Sequence, residues 1–154
     1  MTTIAQKVAE ISRELPEPAR PAGNYVPAAR VGNLLFIAGQ IGKAEGAAPS
    51  ARAGAELSLD QARKAAEAAG LSVLAQIAAA TSGKVSAVRR IVRLGVFVAS
   101  TPDFGQQPEV ADGASDLMAA VFGDKGRHAR AAVGVAALPR GAAVEVEAIV
   151  ELAE

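Results

Sequence analysis

The chain has 154 residues, enough for one domain with a proper core, and no cysteine, which excludes disulfides, thiolate metal sites and thiol catalysis. Its 16 Lys+Arg balance 16 Asp+Glu, so it lacks the basic excess of a protein that binds nucleic acid by neutralising phosphates. A single histidine leaves no multi-histidine metal site, and a 51% hydrophobic content drawn largely from alanine, with 3% aromatics, gives a lone domain a thin core and favours burial between copies.

The predicted elements follow in chain order. Residues 3–14 read as a short helix, with a Thr3/Gln6 capping box and an apolar stripe of Ile4, Val8 and Ile11. The charges spread through this segment are foreign to a signal peptide, and no apolar run approaches the roughly 18–20 residues of a membrane span, so a soluble cytoplasmic protein is expected. Pro16, Pro18 and Pro21 impose an extended connection. Tyr25 to Arg30 and Leu34 to Ala38 then read as a hairpin turning at Val31-Gly32-Asn33. Lys43 to Glu56 is a Gly/Ala-rich loop. A long helix starts at a Ser58/Gln61 capping box, with Leu59, Ala62, Ala66, Ala69, Val73 and Ile77 at helical spacing. Gly70 inside it points to close packing on a sheet. Thr81 to Lys84 resembles only the tail of a phosphate-binding loop: the upstream glycine is missing and the segment ends a helix rather than starting one.

A strand over Val88 to Val98, a turn at Pro102-Asp103-Phe104 and a second helix from about Pro108 to Phe122 come next. The chain closes on two β segments between His128 and Glu151, joined by Leu138-Pro139-Arg140-Gly141. In the second segment Val144, Val146, Ala148, Val150 and Leu152 share one face, and Glu145, Glu147, Ile149 and Glu151 the other. If Val133 and Val135 pack on the same core as these valines, Arg130 and Glu145 share the opposite face. That face is either a small-molecule site or a solvated strand face. The order of elements gives an α+β fold, a mixed sheet with two helices on one face and a short N-terminal helix. The domain spans 1–154, with 1–15 as a helical extension, and its bare Ala/Val-rich second sheet face again favours a homo-oligomer.

Two separated stretches carry a family resemblance. Gly23-Asn24-Tyr25-Val26-Pro27 with Gly32 to Ile41, and Ala129 to Val133 with Ala137-Leu138-Pro139 and Val144 to Ala148, resemble the paired signatures of the Rid family, also labelled YjgF-type or endoribonuclease L-PSP. The likeness runs over about residues 15 to 152, and the N-terminal helix with the Val110 to Leu117 segment looks like a longer subgroup. The resemblance implies a chorismate-mutase-like fold, a homotrimer with ligand clefts between subunits, no cofactor or metal, and hydrolysis of 2-imino acids such as 2-iminopropanoate and 2-iminobutanoate to 2-oxo acids and ammonia.

By the same resemblance Arg130 is the clamp for a substrate carboxylate, a role suited to a planar guanidinium. Glu145 is the acid that positions or activates water. Tyr25 closes the cleft from the neighbouring subunit, Gly39 lets the backbone approach the ligand, and Phe104 forms an apolar wall. Ala132 stands where the family often has Cys, with its backbone N–H as a carboxylate donor, and Ala38 where it has Ser. Ser115 is nearest to a family Asn of the second helix. His128 reads as an exposed turn residue, with proton transfer or ligand contact at the cleft rim as the alternative. The expected partners are a small carboxylate-bearing ligand and further copies of the chain. A non-catalytic carboxylate-binding protein of the same fold is the alternative. RNA cleavage is the weakest reading, because few groups could neutralise phosphates or stack bases.

Overall fold

The computed structural model describes residues 1–154. Helix α1, Ile4–Glu10, opens on the predicted Thr3/Gln6 capping box and buries Ile4 and Val8, one turn apart. It is shorter than its apolar stripe. Ser12 adopts φ 58° and its N–H reaches the Ala9 carbonyl, while the Arg13 N–H reaches that of Val8. This paired closure ends a helix at the residue in left-handed conformation, a position usually held by glycine.

Strand β1 is only Ala28–Val31, paired antiparallel with β2, Leu34–Gly42. Tyr25 therefore lies in the connection before the hairpin rather than in its first strand; Pro27 follows it and supplies only its carbonyl, which accepts from the Ala38 N–H. Helix α2, Leu59–Thr81, starts on the Ser58/Gln61 capping box, followed by β3, Val88–Ala99, and α3, Gln107–Phe122. Strands β4, Ala129–Val135, and β5, Val144–Leu152, complete one five-stranded sheet in the order β1-β2-β5-β3-β4.

In that order β4 and β5, though consecutive and closely joined, are not neighbours. Strand β5 runs between β2 and β3, antiparallel to both, and β4 lies parallel to β3 at the sheet edge. Helix α3 supplies the long crossover that a parallel pair requires. Strand β5, whose alternate residues are all buried, takes the centre, where one face meets the helices along its whole length.

Helices α2 and α3 pack together on one sheet face. The tight approach behind Gly70 is to α3, not to the sheet: a Cβ there would press on Leu117 and Ala114. Gly113 on α3 is tighter still, its Cα lying against the Arg63 backbone carbonyl of α2. Alanines on both helices permit this spacing, which is how an aromatic-poor chain still closes its core. Gly113→Val is expected to cost about 1–3 kcal/mol of overpacking strain, more than the few tenths returned by helix propensity, because a carbonyl of α2 cannot move without its helix. Thermal unfolding checks this.

The opposite sheet face is bare within the chain. It is bulkier than the expected Ala/Val surface: Leu34, Phe36 and Val133 are exposed there, beside Phe97 and Ile149. Among them run the ion pairs Arg93–Glu147 at 3.5 Å and Arg89–Glu151 at 3.6 Å. No helix of the chain is long and apolar enough to cross a membrane.

Candidate functional site

All but one of the predicted site residues fall into two groups on opposite faces of the sheet. The first surrounds Glu145. In β2 the register slips between Ile37 and Gln40, so that one extra residue bulges out of the ladder with β5. The bulge carries Gly39 beneath the Glu145 side chain, where a Cβ would collide with the carboxylate. Above it opens a cavity of about 360 Å³ lined by Tyr25, Gly39, Gln40, Arg20, Arg140 and Glu145, among others.

The outer wall of this cavity is the proline-rich segment after α1. It is pinned by Gln76, a buried α2 side chain that donates to the Ala19 carbonyl at 2.8 Å, and by the Arg13–Glu67 ion pair. Tyr25 is 52% exposed, and its hydroxyl accepts from the Ala22 N–H at 3.2 Å, bracing the same segment. Burial raises the Glu145 carboxyl above its ordinary pKa, and the charge of Glu147 adds to the effect. A carboxyl so disposed exchanges a proton more readily near neutrality than an exposed one.

The second group surrounds Arg130. It lies opposite Leu94 of β3, on the helix-covered side, as do Ala132 opposite Val96 and Gly134 opposite Val98. Val133 pairs with Phe97 on the bare face. The conditional expectation that Arg130 and Glu145 share a face thus fails. The valines of β4 point away from the core that holds those of β5, because β4 is an edge strand whose inner side carries arginine, alanine and glycine.

The Arg130 guanidinium turns onto α3. Its Nη1 donates to Asp112 Oδ1 at 2.8 Å and to Ser115 Oγ at 3.0 Å, and its Nη2 to the Pro108 carbonyl at 3.3 Å. His128 completes the cluster, with Nε2 2.9 Å from Ser115 Oγ and Nδ1 2.6 Å from the Gly126 carbonyl. A carbonyl only accepts, so Nδ1 carries the proton. In the neutral ring Nε2 then accepts from the Ser115 hydroxyl. His128 is therefore half-buried and bonded on both nitrogens, not the exposed turn residue expected. Asp112 and Ser115 lie three residues apart on one helix face, a spacing that could have drawn attention to them, but nothing in the sequence placed that face against Arg130.

Burial lowers the His128 pKa from its ordinary 6.5; the Arg130 charge acts in the same direction, and the Gly126 bond opposes them. The folded chain therefore prefers the neutral ring. The stability this contributes is full above pH 6.5 and is lost as pH falls through the lowered folded value. As His128 is the single histidine, urea unfolding of wild type should weaken from pH 7 to pH 5 more steeply than that of His128→Asn; parallel curves would contradict the assignment.

Phe104 lies within the β3–α3 connection, half-buried against the core and away from the Glu145 cavity. Ala132 is also half-buried against the core, beside Arg130. The structure thus brings Tyr25, Gly39 and Glu145 together, sets Arg130 with Ala132 across the sheet, and leaves Phe104 apart from both. Asp112, Gln76 and the two cavity arginines enter only with the tertiary structure, which also gives Ser115, nearest to the family Asn, its place beside Arg130.

Comparison with known proteins bears on the whole chain. The profile described as endoribonuclease L-PSP matches residues 16–152. Protein TCP17 of Trypanosoma cruzi is 46% identical over 151 residues, covering 97% of this chain and 94% of that protein. The 2-iminobutanoate/2-iminopropanoate deaminase of Dermatophagoides farinae is 32% identical over 131 residues, covering 85% of this chain and 88% of its own. Among solved structures, the protein Atu1372 from Agrobacterium tumefaciens, of unknown function, superposes with a TM-score of 0.87 at 43% identity over 98% of this chain and 94% of that one. The resemblance read from the two signatures and the α+β fold built around them agree with these matches: the chain belongs to the endoribonuclease L-PSP family, the YjgF/Rid family.

Proposed function

We propose that the protein hydrolyses small 2-imino acids, of the 2-iminopropanoate and 2-iminobutanoate type, to 2-oxo acids and ammonia, in clefts between the subunits of a homotrimer. The observation that carries the reading is the division of the site. One sheet separates Arg130 from Glu145 within a chain, yet Arg130 sits on the edge strand and Glu145 faces a cavity on the bare side. Two copies that cover each other's bare faces can set the arginine of one against the glutamate of the next. The likeness to the 2-iminobutanoate/2-iminopropanoate deaminase of Dermatophagoides farinae supports the chemistry.

In this reading Arg130 holds the substrate carboxylate and the imine carbon lies over Gly39. Water adds to that carbon while the Glu145 carboxylate takes its proton and passes it to the nitrogen, giving a carbinolamine. Glu145 then relays the hydroxyl proton to the nitrogen, the C–N bond breaks, and ammonia leaves as the carbonyl forms. A second reading, carboxylate binding without turnover, draws on Ala38 and Ala132, which offer no side-chain polar atom.

The test supplies freshly generated 2-iminopropanoate and 2-iminobutanoate and follows imine loss with enzyme and with buffer. Acceleration over buffer supports the hydrolase. Saturable binding of 2-oxobutanoate with no acceleration for either imine replaces it with the second reading. Gly39→Ala offers a finer check. The three atoms nearest its Cβ all belong to the flexible Glu145 side chain, so folding should hold while the carboxylate is displaced. A drop of about 10–100-fold in kcat is expected, in keeping with the cost of misplacing a reacting group by about an ångström.

A further inference from the structure

The guanidinium of Arg130 has five N–H donors in a rigid plane. Three are spent inside the chain: both of Nη1, on Asp112 and Ser115, and one of Nη2, on the Pro108 carbonyl. Ser115 cannot turn away to serve another acceptor, because its own proton is committed to His128 Nε2, whose ring is in turn fixed by the Gly126 carbonyl. The oxygen of Ser115 is thereby left as an acceptor for Arg130. Strand β4 and helix α3 thus grip one end of the guanidinium. Nε and the second hydrogen of Nη2 have no partner in the chain.

We infer that Asp112 and Ser115, with His128 behind them, are positioning residues for Arg130, and that they leave its Nε/Nη2 edge as the one fork offered to a carboxylate. This rests on reading Arg130 as the carboxylate clamp. The consequence is one of geometry. A carboxylate must approach side-on, in the guanidinium plane, since the end-on fork between Nη1 and Nη2 is occupied by helix α3. Without the grip, the side chain swings on its flexible stem and the ligand must order it on binding.

The hold can be read without any activity. In the isotope-labelled full-length protein, the Arg130 Nε–Hε signal is assigned by its loss in Arg130→Lys. Its order parameter should approach the ~0.85 of rigid backbone in wild type and fall below ~0.6 in Asp112→Ala. Asp112→Asn, which keeps the acceptor oxygen, should restore most of the order. Ser115→Ala, which disturbs no charge, should give a smaller fall and serves if Asp112→Ala does not fold. An order parameter unchanged in both variants overturns the positioning role.

Titration with 2-oxobutanoate then reads the fork. The wild-type Nε–Hε signal should shift, and Asp112→Ala should bind roughly 10-fold more weakly. Tighter binding by Asp112→Ala would overturn the proposal, making Asp112 a competitor for the clamp rather than its support. A wild-type signal that 2-oxobutanoate never moves would overturn the carboxylate reading of Arg130 and the fork with it, while the order parameters still decide the hold.

Discussion

Glu145→Gln is expected to lower kcat for 2-iminopropanoate by about 10²–10⁴-fold, the usual range for loss of a positioned general base. The substitution keeps the size and shape of the side chain over Gly39, so the cavity survives and only the proton acceptor goes. Substrate affinity should change little, since the proposed carboxylate clamp is Arg130. Stability separates this loss from misfolding. Burial and Glu147 raise the folded pKa of Glu145 above its ordinary 4.5, so the folded chain disfavours the charged form. The stability that goes with the protonated form is full below that ordinary value and is lost as pH rises through the raised one. An uncharged Gln should therefore match or exceed wild type in thermal stability at pH 7, with the gap closing below about pH 4.5. For the same reason wild-type kcat/KM should rise with pH as Glu145 ionises, through a midpoint above the ordinary carboxylate range. Wild-type activity in a folded Glu145→Gln would end the assignment.

Arg130→Ala is expected to raise KM by about 10²-fold or more, because a clamp of parallel charge-assisted hydrogen bonds is worth several kcal/mol and each 1.4 kcal/mol is about tenfold. Arg130→Lys should not rescue it, since an ammonium cannot present two parallel donors. The fold should tolerate the loss. Asp112 is 44% exposed and can be solvated when its partner goes, so the stability change should stay within about 1 kcal/mol. The pair of variants also tests where the site lies. If Arg130 and Glu145 come from different subunits, subunits of Arg130→Ala and Glu145→Gln, mixed equally and reassembled, should regain roughly a quarter of wild-type activity by random pairing. If each chain carried a complete site, every subunit in the mixture would be defective and no activity would return.

The elements were legible wherever local chemistry is decisive. Both capping boxes start helices where Ser or Thr precedes Gln by three residues, and the period-2 pattern of 144–152 sorts valine from glutamate as the folded sheet does. The placing of Glu145 followed from that pattern. The placing of Arg130 did not, because β4 offers only alanine, glycine and two valines to mark its faces, and the valines lie on the bare side. An edge strand can expose its larger apolar residues when its inner side is filled by a helix carrying its own polar partners. The pairing of β4 with β3 rather than β5 was also out of reach, since strand adjacency depends on where α3 returns the chain.

What the sequence by itself determined is the set of elements, the α+β class and, through two signatures, the family. Local hydrogen bonding and side-chain periodicity suffice for the elements and the class. Only the tertiary structure decided that the two groups stand on opposite faces, that Glu145 rests on a glycine bulge, and that Arg130 is gripped by Asp112 and Ser115 with His128 behind them. Those facts depend on sheet order and on the approach of α3 to β4, contacts between residues distant in the chain that no local pattern encodes.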